Sequence, residues 1–125
     1  MAKFIVRQTP TGYKFDLRAE AGVIATSEVY TSEAACKNGV QSVKNSADGG
    51  IENQTVEGFE TQKHPKYEIY EDKSGAYRYR LKARNGEIIA TCGSLSYKTV
   101  DEVLAVVNEV KASAASAGME IVAAE

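Results

Sequence analysis

The stretch Tyr77-Arg78-Tyr79-Arg80-Leu81-Lys82-Ala83 alternates apolar and cationic residues without a break. A period of two puts Tyr77, Tyr79, Leu81 and Ala83 on one face and the cations on the other, which predicts a half-buried antiparallel strand. A looser version, Tyr13-Lys14-Phe15-Asp16-Leu17-Arg18-Ala19, occurs earlier in the chain. Around both, the same sequence of signals recurs. Short apolar-alternating runs, Phe4-Ile5-Val6-Arg7 and Tyr67-Glu68-Ile69-Tyr70, precede glycine turns at Pro10-Thr11-Gly12 and Lys73-Ser74-Gly75. Second glycine turns follow at Ala21-Gly22 and Asn85-Gly86, then the matched runs Ile24-Ala25-Thr26-Ser27 and Ile89-Ala90-Thr91-Cys92. Asn-Gly between two strand runs signals a hairpin, because both residues tolerate positive φ. The alternation predicts Phe15, Leu17, Tyr79 and Leu81 buried, with Asp16, Arg78 and Arg80 exposed.

The period then changes. Val100, Val103, Leu104, Val107 and Val110 recur at three and four residues, the mark of an amphipathic helix. Thr99 and Glu102 form a capping box at its start, and Gly118 stands where it would end. The earlier helix spans 32–47, with Ala35, Gly39, Val40 and Val43 inward, and closes at Gly49-Gly50. Gly39 in mid-helix costs about 1 kcal/mol against alanine, so a close backbone contact is expected there. A last strand follows each helix, over Met119–Ala123 and, more weakly, over Glu52–Phe59.

The expected fold class is therefore α+β: a tandem duplication of a β-β-β-α-β unit. Residues 1–59 form the first repeat, 60–66 the linker (with His64-Pro65) and 67–125 the second repeat. A unit this small cannot cover both its sheet face and its helix alone. The two are expected to form one folding unit, an antiparallel-rich sheet with both helices on one face and a pseudo-twofold axis between halves. The chain should be a monomer.

The formal net charge of −2 argues against nucleic-acid binding by overall charge and leaves that role to a local patch. Cys36 and Cys92 show no C-x-x-C spacing, and the start of the chain turns polar within a few residues. These features predict free thiols and a cytoplasmic protein, with no membrane span.

The combination Tyr67-Glu68-Ile69-Tyr70, Asp72-Lys73-Ser74-Gly75 and Tyr77 to Ile89 resembles the YegP-like family, small and mostly bacterial proteins of unknown function. The first copy is similar but has Glu20-Ala21 where the second has Arg84-Asn85. The resemblance implies tandem or dimeric β-β-β-α-β units in a single sheet that exchange their last strands. It implies no activity and no catalytic residues.

Candidate chemistry is sparse. Arg78, Arg80, Lys82 and Arg84 form a cationic stripe at period two, with Tyr70 the aromatic on the same side. Such a stripe suits an anion or nucleic acid, but cross-strand pairing with Glu68 would neutralise part of it. His64 lies in the linker without companion ligands, which excludes a zinc site by spacing. Cys36 stands near a helix start beside Lys37, a setting that lowers thiol pKa values, although packing is the plainer role. Asp101-Glu102 and Glu71-Asp72 are explained by capping and turn formation. No catalytic residue, metal site or cofactor is expected. The sequence predicts a non-enzymatic binding or interaction module for an unidentified protein or small ligand. The alternative is nucleic-acid or anionic-ligand binding through Arg78, Arg80, Lys82 and Arg84.

Overall fold

Strands form where apolar residues alternate, and helices form where they recur at three and four. The computed structural model describes residues 2–20 and 22–122. Its elements are β1 (Lys3–Thr9), β2 (Gly12–Ala19), β3 (Gly22–Thr26), α1 (Glu33–Ser46) and β4 (Gly50–Asn53), then β5 (Lys66–Glu71), β6 (Tyr77–Lys82), β7 (Ile88–Thr91), α2 (Val100–Ser113) and β8 (Gly118–Val122). The fold is α+β. One eight-stranded sheet has the order β4-β5-β6-β7-β3-β2-β1-β8. The edge pairs β4–β5 and β8–β1 are parallel, and all the others are antiparallel. In the middle, β3 and β7 share the single ladder pair Thr26↔Thr91.

Both helices cover the same face of the sheet. Phe4, Val6, Phe15, Leu17, Tyr67, Ile69, Tyr79 and Leu81 point into that layer with 0% exposure, against Val43, Val103, Val107 and Val110. The inward row of α1 is Cys36, Gly39, Val40 and Val43; Cys36 takes the place expected for Ala35, which is half-buried. Each helix begins on a side-chain cap. Ser32 Oγ accepts from Ala35 N, and Thr99 Oγ1 accepts from Glu102 N, both at 3.1 Å.

Several boundaries differ from those read in the sequence. The strand after α1 is Gly50–Asn53 rather than Glu52–Phe59. The Asn53 carboxamide accepts from Thr55 N at 3.0 Å and from its hydroxyl, an Asx turn that ends the strand. Residues 54–65 are irregular, and β5 begins at Lys66, inside the stretch read as linker. α2 ends at Ser113 and passes through a 3-10 turn, Ala114–Ser116; Gly118 opens β8 instead of closing the helix. Ala123 and Ala21 lie outside the described residues. In the β6–β7 hairpin only Gly86 takes positive φ, at 85°. Gly86 N donates to Ala83 O and Ala83 N to Glu87 O, so the turn is a three-residue loop ending in a left-handed glycine.

Gly39 sits against Tyr30 and Phe15, whose rings stack with centroids 6.3 Å apart. A Cβ at position 39 would stand 2.7 Å from Tyr30 Cζ and 3.0 Å from Phe15 Cε2. Gly39→Ala would gain about 1 kcal/mol of helix propensity and lose about 1–3 kcal/mol to overpacking. The net expectation is a loss, read as a lower urea midpoint at unchanged m-value. A raised midpoint would mean the Tyr30 ring moves aside without cost.

Candidate functional site

The face of the sheet opposite the helices carries the charge. Register places Lys3, Arg7, Lys14 and Arg18 there from β1 and β2, and Lys66, Arg78, Arg80 and Lys82 from β5 and β6. Against them on the strands stand Asp16, Glu52, Glu68 and Glu120, so strand cations outnumber strand carboxylates two to one. Lys66, Glu52 and Glu68 among these are buried, and Glu28 joins the lining of a central cleft. The formal charge of −2 is thus the sum of a basic sheet face and a more acidic remainder.

The cationic stripe is only partly available. Glu68 lies opposite Arg80 in the ladder. Its Oε1 takes Arg80 Nε at 2.5 Å and Lys82 Nζ at 3.2 Å. Arg78 donates to the Gly93 carbonyl. Tyr70 lies under the Arg80 guanidinium, 4.4 Å from its carbon to the ring centroid. Arg84 is not on the strand at all; it sits in the β6–β7 turn, because β6 ends at Lys82. Nor are Arg78, Arg80 and Asp16 exposed as expected. Arg80 is 29% exposed and Asp16 13%, since each is drawn onto the sheet by its partner. On β2, Asp16 holds Arg7 Nε at 3.1 Å and the Thr26 hydroxyl at 2.6 Å.

Beside the stripe lies a buried ion cluster that alternation does not reveal. Lys66 Nζ stands 2.8 Å from Glu52 Oε1 and 3.1 Å from Glu68 Oε2, with side-chain exposures of 6%, 2% and 4%. The 54–65 loop closes over it. Gln62 N donates to Glu52 Oε1 at 2.7 Å and Gln54 Nε2 to Oε2 at 2.6 Å. Burial works to raise the Glu68 carboxyl, but hydrogen bonds from Arg80, Lys66 and Lys82 outweigh it and hold the group down at about 2. Glu52 is lowered in the same way, burial being outweighed by Lys66, Gln54 and Gln62. Lys66 is raised, burial being outweighed by its two carboxylates. This cluster is a structural anchor, since each charged head is enclosed by its partners.

At the β3–β7 junction the open face is indented. Clefts of about 540 and 490 Å³ share Lys14, Thr26, Gly93 and Ser94. Gly93 has φ 64°, and a Cβ there would stand 2.7 Å from Thr26 Cγ2. That close approach keeps the junction narrow. A third hollow, of about 670 Å³, lies on the helix side between α2 and the end of β2. It is lined mainly by small apolar residues such as Ala19, Ala105 and Ala112, with Glu20 and Glu109 among them.

The remaining sequence candidates are not brought into a reactive constellation. His64 is exposed and sits against the β6–β7 turn, 3.7 Å from where a Cβ on Gly86 would be. Cys36 and Cys92 are buried free thiols. Burial, with Glu33, pushes Cys36 up to about 11, while Lys37 turns to Glu33 at 3.2 Å, so the activating environment read in the sequence is not formed. Among the described residues no group of three or more His, Cys, Asp or Glu could hold a metal ion. Among the described residues no helix is long and apolar enough to cross a membrane.

This architecture agrees with that of known relatives. Residues 11–52 and 72–120 each match the domain of unknown function DUF1508. Over 52 residues the chain is 44% identical to a UPF0339 protein of Methanosarcina acetivorans, a match spanning 42% of this chain and 86% of that one. The solution structure of yegP from E. coli, a protein of unknown function, superposes with a TM-score of 0.77 at 25% identity, covering 98% of this chain and 93% of that one. A UPF0339 protein from Shewanella oneidensis gives the same TM-score at 21% identity, covering 98% and 92%. The chain belongs to the DUF1508/UPF0339 family, the YegP-like proteins, for which no activity is assigned.

Proposed function

We propose that the protein is a non-enzymatic binding module that presents the open face of its sheet to single-stranded nucleic acid, held through its phosphates. The observation that carries this reading is the two-to-one excess of strand cations on that face in a chain of net charge −2. Eight strands make a platform about 34 Å wide, long enough to contact several successive phosphates. Lys14, at the central clefts, and Arg18, near the end of β2, make no ion pair among the described residues, nor does Lys3 on β1, so they are among the cations with most to gain. Tyr70, already under Arg80, adds one ring at the side of the platform, so contact is through the backbone and not through base sequence.

The test is fluorescence anisotropy with a 20-nucleotide single-stranded RNA and its DNA equivalent at several salt concentrations. Binding should weaken with a log–log slope near −0.7 for each phosphate neutralised. Lys14→Glu with Arg18→Glu should cost about tenfold or more and flatten that slope, with the melting temperature unchanged. Salt-independent binding, or equal binding by the variant, would remove the sheet face as the site.

We also infer a tandem origin, in which residues 1–59 and 67–125 are copies that complete one another. Two separate matches to one domain support it, as does the paired recurrence of β-β-β-α-β order, helix caps and the bridges Tyr13–Tyr30 and Tyr77–Tyr97. The exchange of last strands is supported by the parallel pairing of β4 with β5 and of β8 with β1. A monomer with a pseudo-twofold axis near the β3–β7 junction is the matching assembly. Two buried free thiols are compatible with a reducing compartment, the cytoplasm.

A further inference from the structure

Arg84 is separated from the rest of its stripe and belongs to a cleft of its own. The cleft, about 430 Å³, lies between the second half of α1 and the β6–β7 turn. Ser42, Asn45 and Ser46 line it from the helix, Arg84 and Asn85 from the turn, and Pro65 from the end of the loop. The turn is fixed by its two backbone hydrogen bonds, both at 2.9 Å, so Arg84 is presented from a defined backbone. Arg84 makes no ion pair or hydrogen bond among the described residues.

The lining is biased toward donors. Asn85 Oδ1 accepts from Glu87 N at 3.0 Å, and Asn45 Oδ1 accepts from Gln41 Nε2 at 2.9 Å. Each carboxamide oxygen is therefore engaged with the protein, which leaves the NH2 groups as the parts still to be satisfied. The Ser42 hydroxyl and the Arg84 guanidinium complete the set, and no carboxylate lines the cleft. The matching hollow beside α2 has the reverse character. Glu109 and Ala112 stand as far past the Thr99 cap as Ser42 and Asn45 stand past the Ser32 cap, and Glu20 follows β2 much as Arg84 follows β6.

We infer that the Arg84 cleft is a binding site for a small oxyanion of the phosphate class, held by the Arg84 fork and the amide donors of Asn45 and Asn85. A guanidinium suits such a group because two of its N–H donors match two oxygens. The phosphate can be free or the end of a phosphomonoester, and the shared chemistry is the same.

The experiment is a ¹H–¹⁵N NMR titration of the intact protein with inorganic phosphate and, separately, with ribose 5-phosphate, at constant ionic strength set with chloride. Saturable shifts of the Arg84 side-chain N–H and of the Asn45 and Asn85 NH2 signals are expected. Arg84→Gln should weaken the response about tenfold or more, and Asn45→Asp should do the same by placing a carboxylate in the cleft. Arg84→Lys should retain charge but lose the fork, and so fall between the unaltered protein and Arg84→Gln. Tighter binding of ribose 5-phosphate would mark a monoester site, and equal binding a free-phosphate site. Lys14→Glu with Arg18→Glu should leave this titration unchanged, which separates it from the sheet-face reading. Linear, non-saturating shifts, or saturable shifts that survive Arg84→Gln, would overturn the site.

Discussion

Lys66→Met is expected to destabilise the protein by about 3–5 kcal/mol, the usual penalty for removing one partner of a buried ion pair. Methionine keeps the length and most of the volume of the lysine stem, so packing is nearly conserved. What changes is Glu52, 2% exposed, which would be left with the Gln62 N–H and the Gln54 amide but no cation. Glu68 keeps Arg80 and Lys82. The double variant Lys66→Met with Glu52→Gln should recover much of the loss, because it removes the stranded charge as well. Urea denaturation measures both; a loss below about 1 kcal/mol for the single variant, typical of surface pairs, would mean that water reaches the cluster. The pH dependence has a definite sign. Glu68 is lowered from its ordinary 4.5 to about 2 in the folded protein. The unfolded chain therefore takes up protons first on acidification, and stability is lost as pH falls from about 4.5 toward 2. The lowered Glu52 acts in the same direction. The raised Lys66 adds stability that is present below its ordinary 10.5 and is lost only as pH rises through its folded value.

Residues 1–62 or 63–125 expressed alone should not form a folded monomer. Each piece carries one helix and a short sheet, and domains of that size bury only about 60% of their chain surface. The sheet order adds a specific reason. Among the described residues β4 has β5 as its only ladder partner and β8 has β1, so each edge strand would lose its whole ladder in the separated piece. The isolated strand edge and uncovered apolar layer favour pairing with a second copy. The expected products are an unfolded chain, an aggregate or a homodimer, while the intact protein melts in one transition. Sizing chromatography with dispersed NMR spectra decides this. A folded monomeric half would show that the two sets of strands are independent domains and that the edge pairings contribute little.

Legibility in the sequence followed the length of the periodic run. Tyr77 to Ala83 sets its own register, so the burial of Tyr79 and Leu81 is legible directly; the turn at Lys73-Ser74-Gly75 places Glu68 opposite Arg80 or Arg78, and only the ladder selects Arg80. β4 was misplaced because a four-residue strand carries little period, and its end is set by the Asn53 side chain. The Glu52–Lys66–Glu68 cluster was invisible for another reason. Alternation assigns these residues to the polar face, and only the path of the 54–65 loop makes that part of the face an interior. The basic character of the open sheet face was hidden by summation, since net charge carries no information about sides. Arg84 continued the spacing of the stripe, but the strand stopped two residues before it and the turn carried it elsewhere.

The single ladder pair between β3 and β7 means that the backbone barely connects the two sides of the sheet. Side chains carry the join instead. The Tyr79 hydroxyl reaches over the seam to the Ile24 carbonyl, while Tyr67 and Lys111 take the Ala47 and Gly49 carbonyls and tie the end of α1 to the β5 side. The equivalent of Tyr79 on β2 is Phe15, which has no hydroxyl to return the contact. Mechanical coupling between the sides therefore runs through the packed layer beneath the helices, and it is lopsided. Opening the surface above the seam breaks one ladder pair and no more, as a book opens on a thin binding, while the interior keeps the two boards together.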